Sequence, residues 1–184
     1  EKAKGTLTVT KDMTNVTIAS ASDSWTYDGL THTKPEYTVS YGGTNIPAVE
    51  GTNGLQFKLP TNDIITITPT FAGITNYSEN AANNNTYTYT LPGQSDNYGG
   101  TFTTNYGTLS IDKAALTITL TSSKTYDGEV MVSKVTNAEN GTSIADEGTG
   151  ASQNGTFTVS GLVTGDKLSG TVASNSEVQG SYSY

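Results

Sequence analysis

Apolar residues fall at alternate positions in short runs along most of this chain. Leu7 and Val9 alternate with Thr6, Thr8 and Thr10. Val16 and Ile18, then Tyr37, Val39 and Tyr41, then Leu55, Phe57 and Leu59, then Ile65 and Ile67 continue the pattern. Tyr87 and Tyr89 share one face of Thr86-Tyr87-Thr88-Tyr89-Thr90. Further on come Leu116, Ile118 and Leu120, Val130 and Val132, and Phe157 and Val159. A period of two is the mark of half-buried strands. No window holds a 3.6-residue apolar period; the nearest to a helical turn is Ile144-Ala145-Asp146-Glu147. Turn residues punctuate the runs. Asp28-Gly29 and Gly42-Gly43 supply backbone of positive φ, and Gly42-Gly43 predicts a hairpin. Pro69 lacks a donor, which predicts an edge position for the strand it ends. Residues 76–85 read as a polar loop. Short strands with frequent turns predict an all-β fold of sandwich type.

The pattern repeats at domain scale. Gly5-Thr6-Leu7 opens a run to Lys11, and Gly107-Thr108-Leu109 opens a matching run to Lys113. Each is followed by Tyr-Asp-Gly, at Tyr27-Asp28-Gly29 and at Tyr126-Asp127-Gly128. A period of about 100 residues is that of a domain, not of a solenoid turn. The expected organisation is a terminal strand of a preceding module at 1–11, a first complete β-module at 12–112, and a second β-module at 113–184 that lacks its last strand or strands. The expectation is two tandem small β-sandwich (Ig-like) modules joined stiffly at Lys113-Ala114-Ala115, with β-grasp-like modules as the alternative. The missing strand is expected to be replaced by residues 5–11 of the same or a neighbouring molecule, because an open edge leaves amides and carbonyls unpaired.

Composition narrows the function. The chain has 184 residues, of which 33 % are hydrophobic and 14 % charged, with a net charge of −8. Nine basic residues without a cluster give no electrostatic footprint for nucleic acid or an anionic membrane. No apolar run reaches the ~20 residues needed to span a bilayer. With no cysteine, disulfides, thiolate chemistry and Cys-ligated zinc are excluded. The single histidine, His32, stands in a polar loop before Pro35, so a Ser-His-Asp site finds little support. No cofactor, metal site or catalytic residue is expected. Asp23, Asp28, Asp63, Asp96, Asp112 and Asp127 lie near turns, but no loop has the spacing of a calcium site, and solvated turn carboxylates are the simpler reading. Trp25, Tyr87 and Tyr89 are candidate sugar-stacking residues, weighed against core packing. Tyr27, Asp28, Gly29, Tyr126, Asp127 and Gly128 read as a structural turn signature rather than a ligand site. The Asn-x-Thr/Ser triplets at Asn15, Asn76, Asn84, Asn140 and Asn154 are chance matches in a Thr- and Asn-rich chain.

The two copies resemble the glycine-rich YDG/MBG repeat family of large bacterial cell-surface proteins and adhesins. Tyr-Gly-Thr-Leu-Ser-Ile at 106–111, Leu-Thr-Ile-Thr at 116–119 and Lys-Thr-Tyr-Asp-Gly at 124–128 carry the resemblance. Gly-Thr-Leu-Thr-Val-Thr at 5–10, Trp-Thr-Tyr-Asp-Gly at 25–29 and Asn97-Tyr98 carry it in the first copy. It implies a non-enzymatic structural or adhesive stalk on the bacterial surface, an extracellular fragment of a larger secreted protein. Its partners would be neighbouring modules of the same chain. The alternative is a carbohydrate- or host-glycoprotein-binding module that uses exposed aromatics.

Overall fold

The computed structural model describes residues 5–124, 131–139, 143–145, 153–174 and 178–180. It is all-β. The first copy supplies β1 (Val16–Ser20), β2 (Asp23–Thr26), β3 (Tyr37–Tyr41), β4 (Thr44–Ile46), β5 (Gln56–Lys58), β6 (Ile64–Pro69), β7 (Tyr87–Thr90), β8 (Phe102–Asn105) and β9 (Leu109–Asp112). The second supplies β10 (Thr117–Lys124), β11 (Met131–Ala138), β12 (Ser143–Ala145), β13 (Gln153–Ser160), β14 (Leu168–Ser174) and β15 (Val178–Gly180). Among the described residues the one α-helical stretch is the single turn Gln94–Asn97. No helix there is long and apolar enough to cross a membrane. Contacts divide the chain into two compact units, Glu1–Trp25 with Thr31–Asp112, and Thr26–Leu30 with Lys113–Tyr184.

In the first unit, one sheet has the order β4-β3-β1-β8 and another the order β5-β6-β7, while β2 pairs with β9. The alternation sets which side chains meet. Val16, Ile18, Tyr37 and Val39 from the first sheet share a core with Phe57, Ile65, Ile67 and Tyr87 from the second. Leu59, Leu91 and Tyr98 complete that cluster. Each fully buried Val, Leu or Ile contributes about 1.5–3 kcal/mol. The β3–β4 hairpin turns on Gly42 and Gly43 at φ 58° and 85°, the positive-φ backbone that a two-residue turn demands. β1 runs antiparallel to β3 but parallel to β8, with Val16 opposite Phe102 and Ala19 opposite Asn105. The first and last strands of this sheet are therefore neighbours that point the same way.

The second unit holds two three-stranded sheets among its described residues, β10-β13-β12 and β11-β14-β15. β10 pairs with β13 along its whole length. The register repeats that of the first unit. Thr17 faces Ser40 and Ile18 faces Val39; Thr117 faces Ser160 and Ile118 faces Val159. Tyr37-Thr38-Val39-Ser40 and Phe157-Thr158-Val159-Ser160 are thus corresponding strands. Val159 and Leu168 are buried, with Leu116, Ile118 and Leu162 packed against them.

Several expectations are corrected. Leu7 and Val9 are 95 % and 92 % exposed, and residues 5–11 form no strand, although their alternation predicts a half-buried one. Alternation reports strand capacity; burial needs a partner. β6, which Pro69 ends, is the central strand of its sheet. Pro69 is its last residue, where one missing donor is tolerated. Ser143–Ala145 is a strand rather than a helical turn. Tyr126, Asp127 and Gly128 lie outside the described residues.

Candidate functional site

The most elaborated feature of the first unit is the seat of β9. Leu109 and Ile111 are fully buried, so their backbone polar groups must find partners within the protein. β2 lies along one side of the strand. Two asparagine side chains supply the other. Leu109 N donates to Asn84 Oδ1 at 2.7 Å, and Asn84 Nδ2 donates back to Leu109 O at 2.8 Å. Ile111 N donates to Asn80 Oδ1 at 2.7 Å, and Asn80 Nδ2 donates back to Ile111 O at 2.9 Å. A side-chain amide carries one donor and one acceptor side by side, as a peptide does, so each asparagine stands in for a residue of an adjacent strand.

The loop that presents them is itself pinned. The Glu79 carboxylate accepts from Thr75 N, Asn76 N and Asn76 Nδ2, closing a 3₁₀ turn at Tyr77–Glu79 just before Asn80. The Asn76 side-chain bond and then the two backbone N–H groups hold the Glu79 carboxyl at about 2, well below the usual range. Asn85 is buried and donates from Nδ2 to Ala21 O and Lys34 O, at 2.8 and 2.9 Å.

Gly107 shows how close the strands come. Its N–H donates to Ser20 Oγ at 2.9 Å, and Ser20 Oγ donates to Asn85 O at 2.6 Å. Asn85 N donates to Gly107 O at 3.0 Å. A Cβ at this glycine would stand 2.0 Å from Ala21 O. The glycine of Tyr-Gly-Thr-Leu is therefore fixed by backbone approach rather than by turn geometry.

At the opposite end of β1, Asp12 accepts from Thr14 N at 2.9 Å and from the Tyr41 hydroxyl. Both bonds lower its carboxyl, Tyr41 most. Tyr98 Oη donates to Asp63 Oδ2 at 2.6 Å and pairs with Thr61 Oγ1. Burial and then the Asp63 bond push the Tyr98 phenol up to about 12. A phenol so raised is a hydrogen-bond donor at neutral pH, not a base. Leu91, Gly93, Gln94, Tyr98, Gly100 and Phe102 line an open depression of about 480 Å³ beside it. That lining offers a phenol and an amide but no carboxylate, imidazole or thiol.

The candidate aromatics separate. Tyr87 is 3 % exposed and donates from Oη to Ile18 O at 2.6 Å, with Tyr37 and Tyr106 edge-on to its ring. It is a core residue, which corrects its place as a ligand contact. Tyr89, on the same inward face, is half-buried and stacks on Phe102 at 6.2 Å. Trp25 is half-buried and stacks on His32 at 4.8 Å with 12° between the planes. Asp28 Oδ1 accepts from Leu30 N at 2.8 Å, and Gly29 takes φ 77°, the turn geometry expected of Asp-Gly. Tyr27, which groups with the second unit, donates from Oη to Asp166 Oδ1 at 3.4 Å. Of the turn carboxylates, Asp23 pairs with Lys34 at 3.3 Å. No three His, Asp or Glu side chains gather as a metal site among the described residues.

Asn80, Asn84 and Asn85 are the functional residues that sequence reasoning passed over as polar loop. Comparison with protein-family profiles, curated proteins and solved structures gave no match.

Proposed function

We propose that this chain is a non-enzymatic structural repeat segment of a bacterial cell-surface protein, two β-sandwich modules in series whose task is to hold length under tension outside the cell. The observation that carries the reading is the parallel pairing of β1 with β8, backed by the doubly held β9. A module pulled at its start and at its end draws β1 backwards and the β8–β9 arm forwards. Because the two run the same way, they slide lengthwise, and the bonds between them are strained together rather than opened one at a time. The resemblance to surface repeats, the absence of cysteine and the net charge of −8, which keeps neighbouring stalks apart, support the same reading.

Direction is the test, because forced unfolding reports the barrier along the pulling axis. The first unit is expected to resist more strongly when pulled between residues 12 and 112 than between residues 43 and 112, where β3 peels from its neighbours. Equal forces in the two directions would refute the mechanical role.

A second reading, a carbohydrate- or host-glycoprotein-binding module, rests on the half-buried Trp25–His32 stack, since an indole face suits a pyranose ring. Glycan-array binding that Trp25→Ala abolishes would establish it; the tension-bearing reading predicts no binding.

A further inference from the structure

We infer that residues 5–11 form a donor strand that seats on the free edge of β10 in a second copy of this chain, linking copies head to tail. Three observations meet in this assignment.

The first is a sequence match to a strand already seated. Gly5-Thr6-Leu7-Thr8-Val9-Thr10-Lys11 and Gly107-Thr108-Leu109-Ser110-Ile111-Asp112-Lys113 share Gly, Thr, Leu and Lys at corresponding positions, with Val for Ile and Thr for Ser between them. In the second segment Leu109 and Ile111 are fully buried in β9; in the first, Leu7 and Val9 are 95 % and 92 % exposed. The same chemistry is housed once and unhoused once. Gly107 lies against the Ala21 carbonyl, whereas a Cβ at Gly5 would meet nothing within 4 Å. The glycine of the free copy has the form its seat requires and lacks the seat.

The second is a vacant edge of the matching kind. In the first unit β1 is covered by β3 on one side and β8 on the other, and β2 is covered by β9. In the second unit β10 corresponds to β1 by its pairing with β13, and its end, 122–124, precedes Tyr126-Asp127-Gly128 as β2 precedes Tyr27-Asp28-Gly29. Among the described residues β10 is an edge strand, with β13 on one side only. The place that β8 and β9 take in the first unit is open there.

The third is strand capacity. Residues 5–11 combine three threonines, a valine and a leucine and contain no proline, which suits pairing on an edge. Donor and seat lie on different units, so the contact between copies is heterologous. Repeated, it gives an open filament rather than a closed dimer.

The test is the assembly state of the 184-residue chain by light scattering over a range of concentrations. Wild type is expected to gain mass with concentration, and excess peptide of residues 1–11 to cap the growth and restore monomer. Leu7→Asp with Val9→Asp is expected to leave a monomer with an unchanged melting curve, because neither side chain is in a core. Gly5→Ala is expected to weaken association by about tenfold or more while leaving the melt unchanged, since a seated Gly5 meets the crowding of Gly107. The chain has no cysteine of its own. Chains carrying Thr8→Cys and chains carrying Ser123→Cys are therefore expected to form a mixed disulfide when combined. A monomer at every concentration, or association that survives the Leu7 and Val9 changes, would overturn the inference. Either result leaves the direction of pulling as an independent test of the tension-bearing role.

Discussion

Replacing Gly107 by alanine puts one methyl group where the structure has no room. The new Cβ would stand 2.0 Å from Ala21 O, 2.4 Å from Ala21 C and 2.8 Å from Ser20 O. Ordinary contact lies near 3.5 Å, so the arm carrying β9 must back away from β1 and β2 by about 1 Å or more. All the obstructing atoms are backbone and cannot swing aside. The displacement stretches Gly107 N to Ser20 Oγ, Asn85 N to Gly107 O, and Thr108 N to Ser22 Oγ, now 2.9, 3.0 and 2.9 Å. Overpacking costs about 1–3 kcal/mol, and each weakened bond adds up to about 1 kcal/mol. A loss of about 3 kcal/mol is expected, which lowers the melting midpoint of the first unit by about 15 °C. Circular dichroism melts and urea titrations measure it. Gly5→Ala, in open space, is the matched control and is expected to change stability by less than about 0.5 kcal/mol. If Gly107→Ala melts with wild type, the close approach of β9 to β1 is wrong.

Three further outcomes follow from other bonds. Tyr87→Phe removes the donor to Ile18 O and is expected to cost about 1–2 kcal/mol, whereas Tyr37→Phe removes a buried hydroxyl with no partner and is expected to be neutral or stabilising. Chemical denaturation of the two variants decides between them, and equal losses would refute the assignment of roles. Glu79 in the folded protein is expected to titrate near 2 rather than 4.5, read from its side-chain carbonyl shift. Because that value is depressed, its contribution is present above about pH 4.5 and lost as pH falls through about 2, and Glu79→Gln should flatten the acid limb of stability. Asn85→Ala strips the Ala21 and Lys34 carbonyls of a buried donor and is expected to cost about 2 kcal/mol or more, with a melt unchanged from wild type as the contrary result.

The strands were legible because alternation and burial share a cause. Tyr87 and Tyr89 read as one face, and that face is the inward one. Gly42-Gly43 read as a hairpin because only positive φ closes so short a loop. The clamp was not legible. Asn80 and Asn84 reach β9 across 31 and 25 residues, and nothing local marks an amide that will imitate a strand. The correspondence of Tyr37-Thr38-Val39-Ser40 with Phe157-Thr158-Val159-Ser160 was hidden because the chain between it and the preceding strand is longer in the second copy. Leu7 and Val9 show the opposite failure: their pattern states what the segment can do, and no intrachain partner realises it among the described residues.

The account stands on β9 being gripped from both sides. Rupture force for the first unit, pulled between residues 12 and 112, measures that grip in wild type and in Asn80→Ala with Asn84→Ala. The double variant is expected to yield at clearly lower force, because four bonds to the backbone of Leu109 and Ile111 are gone. An unchanged rupture force in a folded double variant would contradict it.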